Sequence, residues 1–227
     1  MQRLKLNIGC GLTAPSGWVN IDSSLNIRLA KWPWLRKMLI ALHIVPLAKA
    51  NIPYPRNIYF HDIRKGLSFP DNSVEIIYCS HFLEHLNRHD AFSFMKECYR
   101  VLVTGGIIRI IVPDLAQYAQ QYIQRLGQIN QEASINELPA ERFLEDLGIF
   151  EKESVNENIF IHLYKKIYNK NIHKWMYDEY SLTLLLKEQG FSNIQQKQPY
   201  ESLIKDIERL DNAARFDNAI CLEAQKL

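Results

Sequence analysis

The chain has 227 residues, of which 47% are hydrophobic and 23% are charged, so it can bury a large core without staples. Its formal net charge of +2 at pH 7 is too small to indicate a nucleic-acid partner. No apolar window of about 18 residues occurs, which argues against a membrane-spanning segment.

The cysteines and the N-terminal residues bear on compartment and metal content. Cys10, Cys79, Cys98 and Cys221 form no CxxC pair and no Cys/His pair at zinc spacing, which argues against a structural metal site. Scattered, unpaired thiols favour a reducing compartment, and the first residues contain no apolar stretch of signal-peptide length. We therefore expect a cytoplasmic protein.

Apolar runs in the first half of the chain predict five β-strands. The runs are continuous rather than alternating, which is typical of parallel strands that are covered on both faces. The predicted strands are residues 4–9, 18–22, 58–61, 74–79 and 107–112.

Helical patterns lie between these strands and after them, at residues 28–41, 90–102, 115–126 and 180–189. Two more strands, 191–196 and 218–226, are expected to pair antiparallel at one sheet edge. The polar, helical stretch 128–174 contains no strand pattern, so we interpret it as an insertion or cap within a single domain of residues 1–227. The predicted fold class is α/β, with an open, mostly parallel, doubly wound Rossmann-like sheet and an antiparallel C-terminal edge strand.

The loop "GCGLTA" from Gly9 to Ala14 indicates a nucleotide pocket, and its details restrict the nucleotide. It lacks the lysine and the spacing of a P-loop, but it formally satisfies the dinucleotide pattern G-x-G-x-x-G/A. Pro15 follows at once, so no normal helix opens at the loop to hold a pyrophosphate. Asp22 comes 13 positions after Gly9, where the dinucleotide pattern expects about 20. A ligand with ribose hydroxyls and no phosphate fits better, since Asp22 can accept two hydroxyl hydrogen bonds.

Five further motifs are "LNIGCG" (6–11), "VNID" (19–22), "HDIRKGLSFPDNSVEIIYCSHFLEHL" (61–86), "RVLVTGGIIRIIVPD" (100–114) and "HKWMYDEYSLTLLLKEQGF" (173–191). Through these motifs the chain resembles class I S-adenosylmethionine-dependent methyltransferases of the broad "type 11" group. The last motif resembles a subgroup associated with polysaccharide or glycolipid biosynthesis. The sequence departs from the family at Asn7, where an acidic residue is usual, at Thr13, and in "VTGG" where "KPGG" is common. The first crossover is also short for a parallel connection, so either its helix is reduced to a turn or the predicted strand limits are wrong.

The resemblance implies S-adenosylmethionine as the cofactor. It implies that Asp62 and Ile63 line the adenine, and the position of Ser80 and His81 after the fourth strand places them near the sulfonium. The residues expected to contact the cofactor are Asn7, Gly9, Cys10, Gly11, Asp22, Asp62, Ile63, Ser80 and His81.

Methyl transfer from a sulfonium mainly needs alignment and a dry pocket, with a general base if the acceptor is a hydroxyl. Four residues are candidates for roles in catalysis: His81, His85, Asp114 and His173. Each has a plainer alternative, since His81 can be a pocket wall and Asp114 a helix cap. His81 and His85 would share a face at i, i+4 if their segment were helical.

Two further patterns have structural alternatives. The run "HFLEHLNRH" resembles metal-binding patterns loosely, including the ExxEH of one group of magnesium-dependent RNA methyltransferases, and we favour a structural role without a metal. Near His173, Trp175 and Tyr177 either line the acceptor site or anchor the following helix.

The basic, apolar stretch 28–50 either lies on an anionic membrane surface or packs on the sheet as a helix. Pro33 and Pro46 interrupt any long interfacial helix, which favours packing.

We therefore expect transfer of a methyl group from S-adenosylmethionine to a hydroxyl or carboxyl of a small molecule or glycan. Two rivals stay open: an NAD-dependent oxidoreductase, and an inactive module that binds S-adenosylmethionine and recruits a partner.

Overall fold

A computed structural model of the chain describes residues 3–24, 27, 29, 31–42, 52–53, 55–128, 138–149 and 172–227. Within these residues seven strands form one sheet in the order β3-β2-β1-β4-β5-β7-β6. Strands β1 to β5 are parallel to one another, whereas β7 pairs antiparallel with both β5 and β6. The strands are β1 (Leu4–Ile8), β2 (Val19–Asp22), β3 (Ile58–Phe60), β4 (Val74–Ser80), β5 (Leu102–Pro113), β6 (Phe191–Gln196) and β7 (Ala219–Lys226).

The sheet confirms the predicted fold class. All seven predicted strands are present, and the C-terminal pair is antiparallel at one end of the sheet as expected. The C-terminal strand β7 lies inside that end, so β6 forms the outer edge. Strands β4 and β5 are buried along nearly their whole length, which explains their continuous apolar sequence.

Five α-helices are present in the described part of the chain, and side chains cap three of them. Asn87 caps α2, Asp114 caps α3, and Asp178 forms a capping box with Ser181 at α5. Pro33 occupies the first turn of α1, which agrees with the expectation that this proline interrupts the predicted helix 28–41. The helices are α1 (Pro33–Ala41), α2 (Arg88–Val101), α3 (Leu115–Gly127), α4 (Pro139–Asp146) and α5 (Glu179–Glu188).

The double glycine before the fifth strand behaves differently from the prediction. Thr104–Gly106 was expected to separate helix from strand, but β5 already begins at Leu102. The pairing of β4 with β5 shifts register between Val74 and Ile76, and Gly105 has a φ of +78°. The glycines therefore allow an irregularity inside one long strand instead of a separate turn.

The connection from β1 to β2 contains only turns. Residues 9–18 are all described, and none of them is helical. The expectation that the first crossover helix is reduced to a turn is therefore confirmed, and this connection offers no helix N-terminus to a ligand at the glycine loop.

Part of the predicted insertion 128–174 lies outside the described residues. Within it α4 packs on α3, where the rings of Tyr122 and Phe143 stack at 4.8 Å and Arg125 pairs with Asp146 at 2.6 Å. No described helix is long and apolar enough to cross a lipid bilayer.

Candidate functional site

The glycine loop meets the end of β2 at Asp22. Gly11 donates its backbone N–H to Asp22 Oδ2 at 2.9 Å, and Ser24 donates to Oδ1 at 2.6 Å. Gly9 has a φ of +66°, and a Cβ on it would lie 2.7 Å from the Cβ of Phe82. Only glycine fits at this position, because the backbone passes so close to the loop that follows β4. The carboxylate is thus fixed at the carboxyl edge of the sheet, where ligands of such sheets bind.

Two buried asparagines hold this loop. Asn7 donates through Nδ2 to the carbonyl of Thr13 at 2.8 Å and to Oδ1 of Asn20 at 2.9 Å. Asn20 in turn donates to the carbonyls of Pro15 and Trp18. Asn7, predicted as a cofactor contact, is therefore placed to set the shape of the loop.

The Cys10 side chain is buried beneath the glycine loop. The thiol packs in a small buried cluster with Ile27 and Ile58. Burial, with a smaller effect of the Asp22 charge, raises the pKa of Cys10 to about 12, so the group is an unreactive thiol at neutral pH. Only the backbone of Cys10 is left to approach a ligand.

Asp62 and Ile63 lie just beyond β3, at the same edge of the sheet. Asp62 caps the 3₁₀ turn Ile63–Lys65 by accepting from the backbone N–H of Arg64, whose guanidinium Nε also donates to it at 2.8 Å. The Ile63 side chain is buried in the main core. Their contact with an adenine ring stays a prediction, in which Ile63 would take part through its backbone.

Arg215 joins the loop after β4 to the C-terminal part of the chain. Its Nη1 donates to the carbonyl and the hydroxyl of Ser80 at 3.2 and 3.3 Å. Its Nη2 is 3.9 Å from the point where a Cβ on Gly11 would lie. Sequence reasoning missed Arg215, because it lies more than a hundred residues from these partners in no recognised motif.

Both ring nitrogens of His81 face partners. Nε2 donates to the carbonyl of Arg215 at 2.7 Å, and Nδ1 lies 3.4 Å from Oε1 of Glu84. Burial lowers the pKa of His81, but the adjacent Glu84 carboxylate outweighs it, so the pKa is raised. These contacts favour a role in holding the loop over proton abstraction from an acceptor.

The segment after His81 is not an α-helix. His81 has a φ of +50°, and only the 3₁₀ turn Leu83–His85 follows. The conditional expectation of a shared helical face for His81 and His85 therefore does not apply. The turn brings Glu84 next to His81 instead.

His85 and His173 meet beside Glu84, although 88 positions separate them in sequence. Their ring centroids are 5.1 Å apart, and one ligand atom from each of the three residues lies within 4.8 Å of the other two. His173 Nδ1 donates to the carbonyl of Leu147 at 2.7 Å. Burial lowers the pKa of His173, which favours a neutral ring with its lone pair on Nε2.

The remaining candidates have structural contacts. Asp114 accepts from the backbone N–H of Ala116 and from the side chain of Gln117, both at 3.0 Å, so it caps α3. Tyr177 is buried in the main core and its carbonyl accepts from Leu115 at 2.8 Å. These contacts favour the helix-cap and anchor alternatives.

Residues 36–110, about a third of the chain, match the family model described as "Methyltransferase domain". The matched range contains Asp62, Ser80, His81 and Glu84 but not the glycine loop. The match agrees with the resemblance to methyltransferases over these residues. It does not identify the acceptor.

Similar solved structures include a SAM-dependent methyltransferase from Archaeoglobus fulgidus, at 16% identity over 99% of this chain and 86% of that chain, with a TM-score of 0.49. Another, from Methanosarcina mazei, has 19% identity over 100% of this chain and 94% of that chain, with a TM-score of 0.48. With scores below 0.5, these similarities do not specify an activity for this chain. No curated protein matches it.

Proposed function

We propose that this protein transfers a methyl group from S-adenosylmethionine to a hydroxyl or carboxyl group of a small molecule or glycan. The observation that carries the proposal is the hydrogen bond between the glycine loop and Asp22, in which Gly11 donates its N–H to Asp22 Oδ2 at 2.9 Å. Both oxygens of this carboxylate accept a backbone hydrogen bond and keep further lone pairs, so they suit the two hydroxyls of a ribose.

The other parts of the cofactor fit the same edge of the sheet. The adenine would lie by Asp62 and the backbone of Ile63. The amino-acid end would lie over the glycine loop, where the guanidinium of Arg215 is suited to its carboxylate. This arrangement places the methyl group near Ser80 and His81.

Methyl transfer needs little further chemistry from the protein. The sulfonium is already activated, so alignment and exclusion of water supply most of the rate. An acceptor carboxylate needs no base. For a hydroxyl acceptor, His85 and His173 are the predicted histidines that remain as candidate bases, because His81 is engaged at both nitrogens.

The structure weighs against the NAD-dependent alternative. A dinucleotide site holds its pyrophosphate at a helix N-terminus directly after the first strand, and residues 9–18 contain no helix. The inactive binding module differs from an enzyme only in turnover, so an acceptor screen separates these two.

The first experiment is calorimetric titration of the purified protein with S-adenosylhomocysteine, with NAD in parallel. We expect binding of the first and none of the second. Asp22→Asn should weaken binding, since the amide cannot accept at both oxygen positions, whereas the control Asp206→Asn at an exposed position should bind like the wild type. Binding of NAD alone would refute the proposal, and tight S-adenosylhomocysteine binding without transfer to glycans or small acids would favour the inactive module.

A lipid-linked glycan is the acceptor class that best suits the surface of α1. This helix has no buried residue, and the adjacent Trp32 and Trp34 are 55% and 63% exposed beside the exposed Lys31 and Lys37. Tryptophan and lysine together favour the interface of an anionic bilayer. Much of the stretch 28–50 lies outside the described residues.

Vesicle co-sedimentation tests this contact. Trp34→Ala should reduce binding to vesicles with anionic lipid and leave cofactor binding unchanged, while Trp175→Ala serves as a control at another exposed tryptophan. Equal sedimentation of all three proteins would remove the membrane contact from the proposal.

A cytoplasmic location is also part of the proposal, supported by four cysteines that form no disulfide.

A further inference from the structure

Glu84 is a fully buried carboxylate without a hydrogen-bond donor. Its exposed fraction is 0%, and neither side-chain oxygen accepts a hydrogen bond from a residue that the structure describes. Its ion-pair neighbour is His81, whose Nδ1 lies 3.4 Å from Glu84 Oε1. Buried carboxylates are normally paired, hydrogen-bonded or bound to a metal ion, because an isolated buried charge is very costly.

Two imidazoles converge on this carboxylate. The Nδ1 atom of His85 is buried without a hydrogen-bond partner. His173 lies across from it and donates its Nδ1–H to the carbonyl of Leu147, which leaves Nε2 as its electron-pair donor. A ligating histidine usually donates its other ring N–H to a carbonyl or carboxylate in this way, which fixes its tautomer and orientation.

We propose that Glu84, His85 and His173 bind a divalent transition-metal ion of the Zn²⁺ type. Two imidazoles and one carboxylate form a three-residue donor set that leaves a fourth position for water or an acceptor oxygen. Imidazole ligands favour zinc and its neighbours, whereas Mg²⁺ and Ca²⁺ favour oxygen ligands. Tetrahedral coordination would draw the ligand atoms, now within 4.8 Å of one another, to about 3.3 Å.

The backbone around the cluster holds its ligands in place. The carbonyl of Glu84 accepts from the N–H groups of Lys174 and Trp175 at 2.8 and 3.2 Å, so the 3₁₀ turn and the segment after His173 are joined directly. His173 N–H also donates to the carbonyl of Gly148 at 3.0 Å. A Cβ on Gly148 would lie 2.8 Å from the His173 ring, so only glycine leaves room for the ring at this position. Such support is what a preorganised metal site requires.

This proposal revises the structural role that the sequence favoured for "HFLEHLNRH". The pattern alone matched metal-binding spacings only loosely, and the fold adds His173 from a distant segment as a ligand. None of these contacts involves the cofactor, so Zn²⁺ binding can be tested without methyl transfer. A bound ion would occupy the ring nitrogens that His85 and His173 would need to act as bases.

The test is titration of the full-length, chelator-treated protein with Zn²⁺ by calorimetry, with Mg²⁺ as the comparison ion. We expect one Zn²⁺ per chain, and binding at least tenfold weaker in Glu84→Gln and in His173→Gln. The control His89→Gln, at an exposed position of α2, should bind like the wild type. Replacing Zn²⁺ by Co²⁺ should give visible absorption bands that His173→Gln loses.

Melting temperatures give a second readout of Zn²⁺ binding, independent of the calorimetric signal. Zn²⁺ should raise the melting temperature of the wild type but not that of Glu84→Gln. If Glu84→Gln fails to fold, the binding comparison rests on His173→Gln and His85→Gln. Absence of one-to-one Zn²⁺ binding by the wild type, or unchanged binding in the ligand variants, would overturn the proposal.

Discussion

Arg109→Met should be among the most destabilising single substitutions in this protein. Arg109 is fully buried on β5, although it is a charged residue in the middle of an apolar strand. Its guanidinium donates to Asp211 at 2.7 Å, to Glu223 at 3.3 Å, and to the carbonyls of Gln198 and Glu201 at 3.1 and 2.9 Å. It therefore ties the segment between β6 and β7 to the sheet.

The cost comes from the charges that remain after the substitution. Methionine has a similar length and fills the space, but Asp211 and Glu223 lose their buried cation. Asp211 keeps a hydrogen bond from Tyr200 N–H at 3.0 Å, and Glu223 keeps one from Leu203 N–H at 3.0 Å. Breaking one partner of a buried pair costs about 3–5 kcal/mol. For a domain of this size the melting temperature should fall by roughly 6–20 °C.

Urea and thermal unfolding of three variants test this reasoning. Arg142→Met is the matched control, since Arg142 is about half exposed and pairs with Asp146 at 3.0 Å, and it should cost about 1 kcal/mol or less. Adding Asp211→Asn and Glu223→Gln to Arg109→Met should recover at least half of the loss. If Arg109→Met costs no more than Arg142→Met, the buried network does not stabilise the fold as described.

Three further substitutions probe the loop and a helix cap. Gly9→Ala should cost about 2–4 kcal/mol, because alanine is strained at a φ of +66° and its Cβ would overlap Phe82; unchanged urea unfolding would contradict the contact. Asn7→Asp introduces the residue type usual in the family that the chain resembles, yet it should destabilise the fold by about 2–3 kcal/mol. The substitution removes the donor to the Thr13 carbonyl and buries a charge, and a gain in melting temperature would refute this. Asp178→Ala should cost about 1 kcal/mol at pH 7. Hydrogen bonds from Ser181 lower the pKa of Asp178, so this stabilisation is present above the unfolded aspartate pKa of about 3.9 and is lost as the pH falls through the folded value; an equal difference at pH 7 and pH 2 would contradict it.

The sequence by itself determined where the strands lie. Continuous apolar runs predicted β1 to β5, and β4 and β5 show the reason, because a strand buried on both faces has no polar side. Pro15 directly after the glycine loop predicted the missing crossover helix. The pattern from Gly9 to Asp22 predicted their meeting, since adjacent parallel strands end at the same edge.

The tertiary structure decided which residues meet across long sequence separations. Arg215 reaches Ser80, His173 reaches Glu84, and Arg109 reaches Asp211, each pair separated by 89 or more positions. No local pattern encodes such contacts, because periodicity reports burial of a side chain and not the identity of its partner. The same packing gave the Glu84 carboxylate two imidazole neighbours. Local sequence placed Ser80 and Glu84 at or just after the end of β4. Their partners reach them only because β7 pairs with β5 and because residues 172–178 pass beside the end of β5.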